Sequence, residues 1–450
     1  MRFRSIWVLS FLFIGLLVAG VSAQTMMTID QARQAALEYN RSYLSALEDE
    51  NMAQSDIVKT RADALPSIRF DGGYTRTFTI PRIFFSTTDS IGNTQTMELQ
   101  TGFKHGFRGT LSAKQPIWHG GTVYTAYSIA KQYKKYAGAQ ADQVKAEVLY
   151  NADLLFYQIS LRQSTLDVVN SQFNAASENY DVVANMREQG AASEYELLQA
   201  AVNRDNLKPE IISAESELTL AERNMKSWIG IDLEADVTFM ETPTDTSISR
   251  IPSLELLTNS ALEQRPEMLQ ANYLVDMRKR AIRVAKGDYF PQLDAVAAYD
   301  WSSQSDEFSL DNNVSKSWTA GLTISLPLFE GFRTNGNVSQ RKAEYKQARL
   351  NLSQTEDQIR LEVRQAYDQL LQAKKTLDVQ GTTIAQAEEG LKIANLRYSS
   401  GVGTQLEVLS AQAALTQARG ANSLAMYQFR QALAGLKKAT TVDFERESLL

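Results

Sequence analysis

The chain has 450 residues, of which 46 are basic and 52 acidic, so its formal net charge is −6, and it has no cysteine. A chain without cysteine has no disulfides, thiol catalysis or cysteine metal sites, and without a basic cluster nucleic-acid binding is not predicted. Phosphate-binding and nucleophile motifs are also absent from the sequence, so we predict neither an enzyme nor a cofactor or metal site.

Residues 1–23 are predicted to be a secretory signal peptide. Arg2 and Arg4 precede an apolar run from Ile6 to Gly20, and small residues then precede Gln24, where the mature chain is expected to start. An uncleaved anchor is the alternative, but the run is short for a bilayer span. No later stretch approaches the ~20 consecutive apolar residues that a spanning helix needs.

The rest of the sequence contains one unit twice, predicted at 24–240 and 241–450. Pro116 and Pro327 lie in similar segments 211 positions apart, and Gly190 and Gly401 lie in a second similar pair at the same offset. An upstream pair, Pro66 and Pro291, is offset by 225 positions, so the first copy has 14 extra residues between its two prolines. We predict that this surplus is a loop at roughly 82–101, on the side opposite the helices. Two long repeats are too few for a solenoid.

Apolar residues at spacings of three and four predict long helices in both copies. The first, from about Val123 to Met186, would span on the order of 100 Å. With return arms it forms a helical hairpin at 122–229, and the second copy predicts another at 336–438. Shorter helices are predicted at 29–64 and 254–285. A periplasmic coiled coil would explain these helices equally well.

Pro209 lies within the first return arm and has no counterpart in the second copy. Because proline lacks an N–H and its ring clashes with the preceding turn, we predict a kink that only the first hairpin has.

The spacing of apolar residues changes to a period of two in four segments, at about 66–82, 102–118, 290–304 and 316–329. Each has an apolar face and a polar face, which is typical of a transmembrane barrel around a watery lumen. A soluble antiparallel sheet also alternates and is the alternative. Four strands cannot close a barrel in lipid, so several copies must join, giving eight strands from two chains or twelve from three.

The ordered motifs, and above all the segment from Arg397 to Gln412 (RYSSGVGTQLEVLSAQ), resemble the TolC-type outer-membrane efflux proteins over essentially the whole mature chain. The resemblance implies an α plus transmembrane β fold in a homotrimer in the outer membrane. Four strands per chain would form a shared 12-stranded barrel in outer-membrane lipid, continued by a helical tunnel through the periplasm. The implied partners are a periplasmic adaptor and an inner-membrane pump of the RND or ABC type.

The implied function is the exit duct of a tripartite efflux system, gated at the periplasmic tip. An exit channel for type I protein secretion has the same fold and is the alternative. A soluble periplasmic coiled-coil scaffold is a third interpretation, which predicts extraction without detergent.

The same resemblance assigns gate residues. An acidic ring position falls on Glu407, its repeat counterpart on Glu196, and a bridging tyrosine on Tyr398. The pattern departs at Ser410, where the family can have a second acidic residue, and at Gly403, where it can have a bridging arginine. A salt-bridge lock of that kind is therefore not expected. In the alternative interpretation, both glutamates are solvated carboxylates that favour a helix start.

Gly190 and Gly401 are predicted to supply the positive φ that ends a helix. The resemblance also implies that the adaptor docks on the tips, at Gly190, Ala191, Gly401 and Gly403.

The chain has two histidines. His119 has Glu330 as its repeat partner, so we predict a hydrogen-bonded structural role rather than a shared catalytic or metal role. His105 is predicted to be an exposed surface side chain.

Overall fold

The computed structural model describes residues 25–88, 91–92, 94–240 and 251–442. The predicted signal peptide, 1–23, lies outside the described residues. The chain divides into two units. The helical unit is drawn from Met1–Ser45, Asp142–Arg265 and Gln358–Leu450, and the sheet unit from Ala46–Ala141 and Pro266–Asp357.

In chain order the elements are β1 (Thr25–Met27), α1 (Ile29–Tyr39), α2 (Arg41–Ala62), β2 (Ser67–Arg76), β3 (Arg82–Thr88), β4 (Thr94–Gln100), β5 (His105–His119), α3 (Thr122–Glu188), α4 (Glu194–Asp205), α5 (Leu207–Trp228), β6 (Val237–Phe239), α6 (Leu254–Gln264), α7 (Pro266–Gly287), β7 (Gln292–Ser305), β8 (Val314–Ser325), α8 (Arg333–Ser399) and α9 (Gln405–Thr440). The longest helices, α3 and α8, each have 67 residues, which corresponds to ~100 Å at 1.5 Å per residue. Among the described helices none is long and apolar enough to cross a membrane.

The sheet unit contains a four-stranded antiparallel sheet in the order β2-β5-β7-β8. These are the four predicted strands, with shorter ends in two cases. β2 ends at Arg76 rather than near residue 82, and β8 ends at Ser325, two residues before Pro327. Proline cannot donate to a ladder, which explains the early end of β8. The sheet has two outer strands, β2 and β8, and among the described residues each is paired on one side only.

The register of this sheet separates apolar from polar side chains. Residues directly opposite one another share a face. One row across the four strands is Phe70, Leu111, Tyr299 and Trp318. The next row, on the other face, is Asp71, Thr110, Asp300 and Ser317. Phe70 and Trp318 are 71% and 76% exposed within the single chain, so an apolar face of the sheet is open.

The surplus in the first copy is not a loop, as predicted, but a second antiparallel ladder. β3 pairs with β4 from Arg82 opposite Gln100 to Thr88 opposite Thr94. One further backbone bond extends the β2–β5 ladder, from the Thr77 N–H to the Lys104 oxygen (2.8 Å), and another extends the ribbon, from the Thr101 N–H to the Pro81 oxygen (3.0 Å). Ser and Thr occupy much of this segment, so its alternation of apolar and polar residues is weak.

The short helices preceding the strands are each interrupted once, at equivalent positions. Asn40 separates α1 from α2, and Arg265 separates α6 from α7, 225 positions later; both have extended backbones, with ψ of 120° and 133°. Arg265 precedes Pro266, which disfavours helical geometry at the residue before it. The Asn40 side chain instead accepts from the Ser42 N–H at 3.0 Å and so caps α2. The sequence had predicted unbroken helices here.

The first return arm is interrupted at Asn206, whereas α9 is continuous over 36 residues. Pro209 lies four residues after Asp205, the last residue of α4. A proline at that position leaves the Asp205 carbonyl without its helical partner and crowds it with the ring. The predicted asymmetry between the two hairpins is therefore present, and it begins three residues before the proline.

Small residues dominate the core of the helical unit. Ala32, Ala36 and Ala152 are at most 1% exposed and pack with Phe156 and Met225. Beside them the Arg33 guanidinium forms two hydrogen bonds to the Asp153 carboxylate, at 2.6 and 2.9 Å, and joins α1 to α3. The Asp153 side chain is 10% exposed, so its charge depends on Arg33 for compensation.

Removing the Asp153 charge should destabilise the helical unit. Asp153→Ala leaves the Arg33 guanidinium half-buried without its main partner, at an expected cost of about 3 kcal/mol. The measurement is the urea midpoint of the helical circular-dichroism signal in detergent. Asp30→Ala is the matched control, because Asp30 also binds Arg33 (2.8 Å) but its side chain is 84% exposed. Equal midpoints for the two variants would contradict this role of Asp153.

Candidate functional site

The two hairpins of the helical unit end in the same turn. Gly190 and Gly401 have φ of 75° and 72°, as predicted for the residue that ends each long helix. In the first tip, the Gly190 N–H donates to the Arg187 oxygen (2.9 Å) and the Ala191 N–H to the Met186 oxygen (2.7 Å). This pair of bonds is the Schellman motif, which satisfies the last carbonyls of a helix.

The second tip repeats that motif and adds one bond. The Gly401 N–H donates to the Tyr398 oxygen (3.0 Å), and the Val402 and Gly403 N–H groups both donate to the Arg397 oxygen, at 3.0 and 2.9 Å. A Cβ on Gly403 would lie 3.0 Å from the Arg397 Cβ and 3.0 Å from the Tyr398 nitrogen. A side chain at position 403 would therefore be in tight contact with the end of α8, so close packing favours glycine there.

The predicted gate carboxylates lie at equivalent positions in the first turn of each return helix. Ser193 and Glu196 form a reciprocal capping box, in which the glutamate accepts from the Ser193 N–H at 2.7 Å. The hydrogen bond from that backbone N–H, and a second from the Ser193 hydroxyl, lower the pKa of Glu196. The ionised cap is therefore present above the ordinary carboxyl pKa and is lost as the pH falls through the lowered one.

Glu407 has a different partner. The Thr404 hydroxyl accepts from the Glu407 N–H at 3.3 Å, so Thr404 is the cap of α9. The Glu407 carboxylate instead pairs with the Arg397 Nε at 3.3 Å, which joins α8 to α9. Both side chains are about half exposed, at 52% and 44%. The charge of Glu407 is thus compensated within its own hairpin.

The first hairpin has its own ion pair, between Arg187 and Glu194. It is not the repeat equivalent of the second, because Arg187 corresponds to Tyr398 and Glu194 to Gln405. The two copies close their tips with an arginine and a glutamate in different registers. Neither pair is predicted from the sequence, although an arginine and a glutamate flank each glycine turn there.

Tyr398 and Gln405 bring the two tips together. The Gln405 side chain is buried and its Nε2 donates to the Glu196 backbone oxygen at 3.4 Å. Burial raises the pKa of Tyr398, and the negative charge of Glu196 raises it further. The predicted residues Glu196 and Tyr398 are therefore neighbours, from different hairpins, whereas Glu407 faces Arg397.

The predicted docking residues lie at the outermost turns. Gly190, Ala191 and Gly401 are exposed, and Gly403 is half-buried. A Cβ on Gly190 or Gly401 would meet nothing within 4 Å, so only the positive φ requires glycine at these two positions.

The histidines belong to the sheet unit. The His119 Nε2 lies 3.0 Å from the Asp294 Oδ1, and the Lys114 Nζ lies 3.0 Å from the other carboxylate oxygen. The predicted structural role of His119 is confirmed. His105, predicted to be exposed, is half-buried, with its Nδ1 2.8 Å from the Tyr74 hydroxyl. In the part of the chain that the structure describes, no group of three His, Asp or Glu side chains is arranged to hold a metal ion.

The family model for the outer membrane efflux protein matches residues 32–230 and 257–441. Proteases secretion protein PrtF of Dickeya chrysanthemi is 21% identical over 424 residues, covering 93% of this chain and 89% of PrtF. Outer membrane efflux protein BepC of Brucella suis is 24% identical over 254 residues, so the aligned part is 56% of this chain and about half, 52%, of BepC.

Solved structures share the fold. The outer membrane protein VceC of Vibrio cholerae superposes with a TM-score of 0.74 at 16% identity, covering 92% of this chain and 96% of VceC. The CmeC outer membrane channel of Campylobacter jejuni superposes with a TM-score of 0.71 at 18% identity, covering 94% of this chain and 88% of CmeC. Because the family model matches well over half of its residues, the chain belongs to the outer membrane efflux protein family, the TolC type of outer-membrane channel.

Proposed function

We propose that this chain is the outer-membrane exit duct of a tripartite export system. Three copies would join their four-stranded sheets into a 12-stranded barrel, and their helical hairpins would form a tunnel in the periplasm. The main supporting observation is the sheet itself, which has an open apolar face and two outer strands, each with one edge that no described residue of the chain pairs. Such edges are costly in lipid, and joining copies removes them.

The duct is passive, without a catalytic activity of its own, and its energy comes from an inner-membrane pump through a periplasmic adaptor. The adaptor would dock on the exposed tip turns at Gly190, Ala191, Gly401 and Gly403. The names of the relatives support two branches. PrtF, which aligns over most of the chain, is named for protease secretion, whereas BepC is named for efflux. Type I protein secretion is therefore the second candidate, with the same duct and a different pump.

The gate would lie at the tips, where Glu196, Tyr398 and Glu407 are found. Its lock is weak. Tyr398 and Gln405 link the hairpins by burial and one long hydrogen bond, while the arginines pair within their own hairpins. Opening would separate the hairpins without breaking either ion pair.

The particle in detergent should contain three copies of the chain. Light scattering on purified protein should give a protein mass of about three times that of the mature chain, and unheated gels should show an oligomer that heating dissociates. The strand pairs between copies resist dissociation, because each broken backbone hydrogen bond would leave an N–H and a C=O group without a partner. A monomer that dissolves in plain buffer would contradict the duct.

The β3–β4 ribbon should lie outside the cell, and the tips in the periplasm. Thr88→Cys should react with an impermeant maleimide on intact cells. Val402→Cys, 72% exposed at a tip turn, is the matched control and should react only after the outer membrane is opened. The chain has no cysteine of its own, so labelling reports these sites alone. Labelling of Val402→Cys on intact cells would refute this topology. Labelling of Thr88→Cys only after the outer membrane is opened would also refute it.

Neutralising either partner of the Arg397–Glu407 pair should shift ion selectivity in opposite directions. Glu407→Gln should lower the cation preference of the channel in planar bilayers, and Arg397→Gln should raise it, because the freed charge then faces the pore. One unit charge about 4 Å from an ion in water is worth about 1 kcal/mol, so shifts of up to about fivefold are expected. The double variant should return toward the parent. Unchanged selectivity in both single variants would show that the pair does not line the pore.

A further inference from the structure

The apolar face of the four-stranded sheet has an unusual charge distribution. Over β2, β5, β7 and β8, every position that shares the face of Phe70 and Trp318 is uncharged except two, Arg76 and Lys316. Both are basic and exposed, and both lie toward the ends of the strands that are far from the helices. The opposite face has three basic and three acidic residues: Arg69, Asp71, Arg108, Lys114, Asp294 and Asp300.

Aromatic residues lie close to these two charges in the sheet. Tyr74, Phe107 and Phe308 form a cluster with ring centroids 4.9 to 5.6 Å apart. Tyr74 lies on β2, two residues before Arg76. The Arg76 guanidinium lies 5.3 Å from the centre of the Phe78 ring. Lys316 is opposite Trp301 in the register. Aromatic girdles mark the level of the lipid head groups on a barrel, and a long basic side chain reaches that level from below.

The β3–β4 ribbon has an apolar face of its own, on which Ile83 is paired with Leu99 and Phe85 with Met97. On this face are Ile83, Phe85, Met97 and Leu99, which are 44% to 60% exposed.

The length of the ribbon indicates what covers it. Seven residues extend ~23 Å at 3.3 Å per residue, whereas the head-group layer of a bilayer is only about 5 to 8 Å thick. A lipid that covers an apolar surface above the head groups must have a large head group of its own. A phosphorylated glycolipid has acyl chains for the strands, phosphates for the two basic residues and sugar rings that can lie against Phe85.

We propose, on the basis of the duct described above, that this face binds the phosphorylated glycolipid of the outer leaflet, with Arg76 and Lys316 as its phosphate ligands. These two residues lie on the two outer strands of the sheet. When β8 of one copy pairs with β2 of the next, they come to lie on adjacent strands, so each site is shared by two subunits. Arg82 is not part of the site, because it pairs with Glu98 at 2.7 Å.

The test is native mass spectrometry of the intact particle in detergent, titrated with diphosphoryl lipid A and, separately, with phosphatidylglycerol. The parent should prefer lipid A, and Arg76→Gln with Lys316→Gln should weaken it by about 25-fold, since each basic residue near a membrane contributes roughly fivefold. Arg69→Gln with Arg108→Gln is the matched control, because it removes two positive charges from the other face of the same sheet. That control should retain lipid A.

Equal lipid A binding by the parent and the Arg76 and Lys316 double variant would overturn the site. Equal binding of phosphatidylglycerol and lipid A by the parent would overturn the choice of a glycolipid. The same spectra count the copies in each particle. A trimer without lipid A preference contradicts this inference alone, whereas a monomer contradicts the exit duct and the shared site together. Arg76→Lys with Lys316→Arg should retain binding, which separates charge from folding.

Discussion

The unpaired backbone of two strands is the constraint on which the rest of the molecule depends. β2 and β8 each have one side that no other described strand pairs, and the same sheet has an apolar face that suits lipid. Hydrocarbon provides no hydrogen bonds for exposed N–H and C=O groups, so an open sheet is unstable there. Once copies join edge to edge, the polar face becomes a lumen, and the helices attached to the other end of each strand are arranged in a ring.

The two copies of the duplicated sequence have the same order of elements, and they differ in some connections and helix ends. The tip turns at Gly190 and Gly401 have the same hydrogen bonds, and the helix interruptions at Asn40 and Arg265 are equivalent. The differences include the ribbon that follows β2, the helix interruption before Pro209 and the registers of the tip ion pairs.

The periodic elements could be predicted from the sequence, because each residue's environment follows from its position in the pattern. In strands, apolar residues alternate with a period of two, and in helices they recur at spacings of three and four. The four strands and the long helices are of this kind. The ribbon could not, because Ser86, Thr87 and Thr88 conceal its alternation and only the register with β4 reveals it. The prediction at Gly401 depended on local backbone geometry alone, and it is confirmed.

At the tips, the sequence identified the right residues but not their partners. Glu196 and Tyr398 are neighbours through the meeting of two hairpins, a contact between positions about 200 residues apart that no local pattern reports. The Arg397–Glu407 pair depends on how α8 and α9 align after the turn. The departure at Gly403 coincides with close packing, because a Cβ there would lie 3.0 Å from the Tyr398 nitrogen.

This arrangement bears on how the duct can open. If arginines bridged neighbouring hairpins, each opening event would separate oppositely charged groups across the seam. Here Arg187 and Arg397 stay with carboxylates of their own hairpins, so the hairpins can move as rigid bodies with both ion pairs intact. Within one chain, the contacts between the two hairpins at the tips include the burial of Tyr398 and Gln405 and one hydrogen bond of 3.4 Å, and in the proposed duct these contacts would separate on opening. Exposed ion pairs contribute little, and a long hydrogen bond is weak. An adaptor that binds the tips would therefore need only a modest difference in affinity between the closed and open states to hold the duct open.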